Sequence, residues 1–251
     1  MTAYQRLPSA PFNPVPGPDR VPADGRGQAA YDLAWIDHRG APVWDRRILP
    51  DTPEIDGAVS SLARGAMLQG PRGPIAIEDL MPGDRVATRD GGTAQIEWIG
   101  TRTYAPGGAR PTFYRVAAHA FGATGPDTAV VLGANAHVLI DSPRCLPLVG
   151  DRLAFAPIAA FEDGHSVSAI TPPGEVACYG IACAGQSALL VSGLPVESYH
   201  PARATARSLN RNVLAEMGKL FPQVASGTGF GAPRINYLSL AEAQGLSLTG
   251  A

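Results

Sequence analysis

"GAMLQGPRGPIAIEDLMPGDRVATRDGGTAQIEWIGTRTY", residues 65–104, decides how this chain folds. Short apolar runs alternate with turns rich in glycine and proline. Residues 70–73 turn between Met67-Leu68 and Ile75–Ile77, and residues 81–84 turn ahead of Arg85–Thr88. Arg89-Asp90-Gly91-Gly92 is a hairpin signal, because glycine supplies the positive φ that a tight turn needs. Gln95–Ile99 alternates, which predicts Ile96 and Trp98 on one face. Turns roughly every 8–12 residues predict an all-β sandwich or barrel-like fold. Glu78 and Asp79 adjoin within a turn, so they shape it rather than form a catalytic carboxylate pair.

The same texture continues towards the C-terminus. Residues 112–118, 128–132, 176–183 and 187–191 are strand candidates, and Val138 and Ile140 share a face in "ANAHVLID". Beyond "PVESYHP" the spacing becomes helical: Leu209, Val213, Leu214, Met217, Leu220 and Phe221 form one stripe, with Ser208 as cap and Pro222 as stop. Ser239 and Glu242 stand in a capping-box relation, with Gly245 ending that helix. "GTGFG", 227–231, follows a helix rather than a strand, which makes it a connector and not a dinucleotide loop.

Towards the N-terminus, residues 30–49 predict a hairpin turning at "DHRG", with Trp35 and Trp44 as core anchors; "PDTPEIDG" is a linker. Prolines at 8, 11, 14, 16, 18 and 22 exclude helix or central strand from residues 1–27 and predict an extended, polyproline-II-like or disordered arm, either a solvated leader or a segment that docks along a partner. The expected organisation is an arm over 1–27, a hairpin and linker over 28–57, a β domain over 58–200 and a helical extension over 201–251.

Composition agrees with a β-rich globule: 29 glycines and 24 prolines among 251 residues, with only 17% charged. A net charge of −2 offers no basic field for nucleic acid. Cys145, Cys178 and Cys183 form neither a disulfide framework nor a Cys-x-x-Cys metal pair, so buried thiols are expected. No cofactor is expected. The first residues lack the apolar core of a signal peptide, and no apolar run reaches bilayer length. A cytoplasmic location is the default, and secretion without a cleaved signal stays open.

Residues 58–246 resemble the Hint superfamily, the Hedgehog/intein self-processing domain. The resemblance lies in Gly65, Gly73, Ile77-Glu78-Asp79-Leu80, Gly83-Asp84, Val86, Thr88, Asp90, Gly92, Ile96 and Trp98-Ile99-Gly100, then in "VVLGANAHVLI", "PVESYHP" and "LFP…FGAPR…EA". It implies a mostly β, pseudo-twofold horseshoe with a C-terminal helix. It also implies an acyl shift in active members, in which a Cys or Ser attacks the carbonyl just before it. A hydroxyl residue and a His polarise and protonate that peptide, and a later Asp and His resolve the ester. A peptide is a poor electrophile and a hydroxyl a poor nucleophile, so activating base, oxyanion donor and acid are all needed.

Laid on this chain, the family's nucleophile falls on Ser61, its hydroxyl on Gly133, its catalytic histidine on Ala136 and its "D-x-H" on Ala184-Gly185-Gln186. His137 lies one residue along, which in a strand points to the other face unless a bulge intervenes. His119, His165 and His200 fit no motif position and are expected on the surface or in hydrogen bonds. The candidate site residues are therefore Ser61 and His137. Two functions compete. One is a Hint-like scaffold without self-processing that serves as a structural or interaction module, alone or as a component of a larger secreted, surface or phage-like assembly. The other is autoprocessing between Ser60 and Ser61.

Overall fold

The structure, a computed structural model, describes residues 27–106, 111–201, 203, 211–225 and 230–247. Residues 1–26 and Ser208 lie outside them, and with them the predicted arm and helix cap.

Among the described residues the chain is mostly β and forms two sheets. Its strands are β1 (Gln28–Ile36), β2 (Pro42–Pro50), β3 (Leu62–Ala63), β4 (Met67–Gly70), β5 (Gly73–Ala76), β6 (Arg85–Ala87), β7 (Thr93–Tyr104) and β8 (Phe113–Val116). They continue with β9 (Val130–Gly133), β10 (His137–Asp141), β11 (Leu153–Pro157), β12 (Val167–Ile170), β13 (Val176–Cys183), β14 (Ala188–Val191), β15 (Leu194–Glu197) and β16 (Asn236–Tyr237). The larger sheet runs β12-β8-β9-β3-β13-β7-β1-β2, with β6 paired to β7, and the smaller runs β16-β11-β10-β15-β14-β4-β5. The helices are α1 (Pro53–Val59), α2 (Leu146–Val149), α3 (Arg211–Leu220), α4 (Pro222–Ala225) and α5 (Leu240–Ser247).

The turn chemistry of residues 65–104 forms as its residues dictate. Glu78 accepts from the Gly65 amide at 2.9 Å, Asp84 from Met81 at 2.8 Å, and Asp90 from Gly92 at 3.1 Å. These carboxylates are turn clasps. Ile77–Asp79 is a 3-10 turn, which ends β5 at Ala76.

One expectation about the central strand fails. Trp98 of β7 pairs with Ala182, but Ile96 pairs with Cys183, so Glu97 is an extra residue. This β-bulge reverses the alternation. Ile96 and Ile99 enter the main core with Leu62, Leu68, Val138 and Ile181, while Trp98 enters a second core with Tyr31, Val59, Tyr199 and Phe221. There its indole N–H donates to the Leu220 carbonyl at 2.8 Å, which ties α3 to the sheet.

The second core exists because β1 pairs with β7, making the N-terminal hairpin part of the large sheet. The stretch read as a linker holds α1, started by Thr52, whose hydroxyl accepts from Ile55 N, and by Pro53. Trp44 is no core anchor: it is 59% exposed on edge strand β2. At the C-terminus the capping box forms, with Ser239 N donating to Glu242 and Glu242 N to Ser239 Oγ. Gly245 does not end that helix, which runs on to Ser247, and Ala243 packs on Ala154 and Ala160. Pro222 opens α4 after a one-residue break at Phe221.

Candidate functional site

Ser61 sits in the buried step between α1 and β3. Ala58, Val59 and Ser60 are fully buried and Ser61 nearly so. Two glycines permit this close packing. A Cβ on Gly180 of β13 would stand 1.8 Å from the Ala58 carbonyl oxygen, and one on Gly133 of β9 would stand 2.0 Å from the Ser60 carbonyl oxygen. Gly133 is the position where the resemblance places a hydroxyl residue. The carbonyl that such a hydroxyl would polarise occupies the space its Cβ would need.

The bond itself is held by backbone. Ser61 N donates to Tyr179 O at 3.3 Å, and Ser61 O accepts from Gly133 N at 2.9 Å. The Ser61 hydroxyl points to the Asn135 carbonyl at 3.4 Å. A carbonyl cannot take a proton from serine at neutral pH, so this contact orients the hydroxyl without activating it. Ser60 Oγ donates to Asp56 O at 2.7 Å and accepts from Asn135 Nδ2 at 2.8 Å. Among the described residues no N–H or O–H donates to the Ser60 carbonyl oxygen.

Ala136 is fully buried in the main core, and His137 opens β10 on the opposite face in regular register with Pro157. No bulge brings the imidazole round to Ser61. The two side chains meet the same carbonyl instead: His137 Nδ1 lies 3.1 Å from Asn135 O. The imidazole belongs to a buried cluster that sequence reasoning missed. Arg203 Nη1 donates to Asn135 O at 2.8 Å, lies 3.2 Å from His137 Nδ1 and reaches Glu197 at 3.3 Å; its Nη2 donates to Gly57 O at 2.7 Å. Tyr237 OH donates to Glu197 at 2.5 Å and accepts from Gln186 Nε2 at 2.9 Å.

Burial, then the Arg203 charge, holds His137 well below the usual imidazole range, so it is neutral here. Burial pushes the Glu197 carboxyl up, against the pull of Arg203 and the Tyr237 hydroxyl. The signals for this cluster were faint: Glu197 stands in the quoted "PVESYHP" and Gln186 at the "D-x-H" position, but nothing in sequence joins them to Arg203 or Tyr237. Gln186 fills its own site, accepting from the amides of Arg234 and Ile235 at 2.7 Å each. It is a loop clasp with no acid function. His200 is buried, with Nε2 3.1 Å from Phe230 O. All three cysteines are buried and unpaired, and burial pushes Cys178 and Cys183 up to about 12. Among the described residues no cluster suits a metal ion, and no helix is long and apolar enough to cross a membrane.

A family model described as the Hint domain matches residues 60–203. Among solved structures, the MchDnaB-1 intein is 15% identical, with 55% of this chain and 99% of that one covered and a TM-score of 0.32. A bacterial intein-like domain from Clostridium thermocellum is 10% identical over 56% and 99%, with a TM-score of 0.38. The Msm DnaB1 intein splicing domain, solved with zinc, is 18% identical over 55% and 99%, with a TM-score of 0.34. No curated protein matches. With a family match that starts at the Ser60–Ser61 step and takes in more than half of its length, this chain belongs to the Hint domain family.

Proposed function

We propose that this protein is a Hint-fold scaffold that keeps its Ser60–Ser61 bond and works as a structural or protein-interaction module. The observation that carries this reading is the packing of the Ser60 carbonyl against Gly133, where a polarising hydroxyl has no room. Among the described residues the Ser61 hydroxyl has the Asn135 carbonyl as its hydrogen-bond partner, and the neutral His137 meets that same carbonyl. Each missing group removes several kcal/mol of barrier lowering, on the order of 2–4 for one oxyanion donor alone. The segment before Ser61 is a helix buried in the fold rather than a loose chain awaiting release, which also favours retention. The proline-rich residues 1–27 are the proposed attachment arm.

The competing reading, autoprocessing by Ser61 with help from His137, draws on the carbonyl that both side chains reach. Ser61→Cys separates the two, since a thiol is the stronger nucleophile. The scaffold reading expects the variant to stay whole in dithiothreitol over days at neutral pH. Release of residues 1–60 from that variant would show that the site still performs the shift.

A further inference from the structure

We infer that two copies of this chain join through β2, forming one continuous sheet across a twofold axis at Arg46. Among the described residues the strand lies at the edge of the large sheet, with β1 as its one neighbour there. Hydrogen bonds that flank the β1–β2 ladder fix its phase: Asp51 N donates to Gly27 O at 2.7 Å, and Asp37 N to Ala41 O at 2.8 Å. Alternation along an antiparallel pair then turns Val43, Asp45, Arg47 and Leu49 towards β1. The backbone groups of Trp44, Arg46 and Ile48 face outward. Pro42 and Pro50, which have no N–H to offer, close this open edge at both ends.

The strand, "PVWDRRILP", complements itself when read backwards about Arg46. Trp44 faces Ile48 of the second copy, Asp45 faces Arg47, Val43 faces Leu49, and the prolines face each other. Trp44 and Ile48 are large apolar side chains, 59% and 47% exposed, and the pairing covers them. Like charges meet only at the axis, where each Arg46 is already neutralised by its own Asp32, at 2.7 and 3.0 Å. Within one strand Asp45 and Arg47 already pair at 2.9 Å; the proposed register sets the two pairs head to tail as four alternating charges, whereas a slip by one pleat either way places Asp45 against Asp45 or Arg47 against Arg47. The outward groups supply six N–H···O bonds between Trp44, Arg46 and Ile48 and their counterparts. An interface of one strand pair belongs to the small, reversible class, so the dimer should be concentration-dependent.

Analytical ultracentrifugation of the full chain from about 1 to 200 µM tests this, a span matched to micromolar affinity. The expected result is a shift from 26.1 kDa to twice that mass. Hydrogen exchange at the amides of Trp44, Arg46 and Ile48 should slow as the dimer fills. Arg46→Pro removes the central outward N–H and should abolish the shift, with a thermal melt confirming that the variant folds. Asp45→Arg and Arg47→Asp should each be monomeric alone and pair when mixed, because only the mixed dimer restores both charge contacts. A wild-type chain that stays at 26.1 kDa throughout would overturn the proposal. So would a dimer that survives Arg46→Pro, or dimerisation only after removal of residues 1–26, which would assign the edge to that segment.

Discussion

Two largely covered arginines flank the Ser60–Ser61 step, and they hold it by different chemistry. Arg102 on β7 grips the N-terminal side, with Asp51 at 2.6 and 2.7 Å, Asp56 at 2.6 Å and Tyr31 OH at 3.2 Å. Tyr104 OH adds a short bond to Asp56. Arg203 grips the other side through two carbonyls, one carboxylate and a neutral imidazole. Both reach α1, one through the Asp56 side chain and the other through Gly57 O. The Arg102 cluster sets one guanidinium between two carboxylates, Asp51 and Asp56. The Arg203 cluster holds a single carboxylate, Glu197, and a neutral imidazole, His137, and each of these two can gain a proton. Its grip therefore depends on pH closer to neutrality, whereas the hydrogen bond from Arg102 holds the Asp51 carboxyl below its usual range and keeps it charged into stronger acid.

The largest effect expected is from Arg102→Met, which strands Asp56 and Asp51 without their cation. Asp51 is exposed and Asp56 half-buried, so the loss falls between the ~1 kcal/mol of an exposed pair and the ~3–5 kcal/mol of a fully buried one, to be read from urea unfolding. Arg203→Met should cost less at low pH than at neutral pH, because burial already favours the protonated form of Glu197. Equal costs at pH 5 and pH 8 would show that the two clusters do not differ as described.

Next comes Gly133→Ala, which drives a methyl into the Ser60 carbonyl oxygen. We expect a loss of roughly 1–3 kcal/mol from overpacking, with no gain in cleavage. Unchanged stability would mean that the Ser60 carbonyl moves freely, and the packing argument would fall.

The smallest effect separates the clusters by titration. The folded-state pKa of His137 is depressed, so below about 6.5 the unfolded chain takes a proton that the folded chain refuses. Stability is lost as pH falls through that window. Glu197 works the other way: its raised folded-state pKa makes the folded chain bind the extra proton above the usual carboxyl range, so it favours folding towards acid. His137→Gln removes only the first contribution. The melting temperature of this variant should fall less than that of the wild type between pH 7 and pH 5. Parallel curves would place the imidazole outside the buried cluster.

The same contrast explains what could be read in advance. The turns of residues 65–104 and the Ser239–Glu242 box depend on partners a few residues apart, so local chemistry announces them. The resemblance alone sets Gly133 and Ala136 where the family carries a hydroxyl residue and a histidine, so that reading rests on family order. The bulge at Glu97 was not legible, since it depends on how β13 pairs with β7, and it sent Trp98 to the second core. Trp44 looked like core because alternation cannot tell an edge strand's open face from a buried one. The Arg203 cluster stayed hidden because it gathers Gly57, Asn135, Glu197 and Tyr237 from four distant parts of the chain.

If the bond between Ser60 and Ser61 endures, intact mass of the purified wild-type chain, before and after hydroxylamine at neutral pH, should show a single species at 26.1 kDa in both samples. Fragments of residues 1–60 and 61–251 that grow with hydroxylamine and vanish in Ser61→Ala would contradict it.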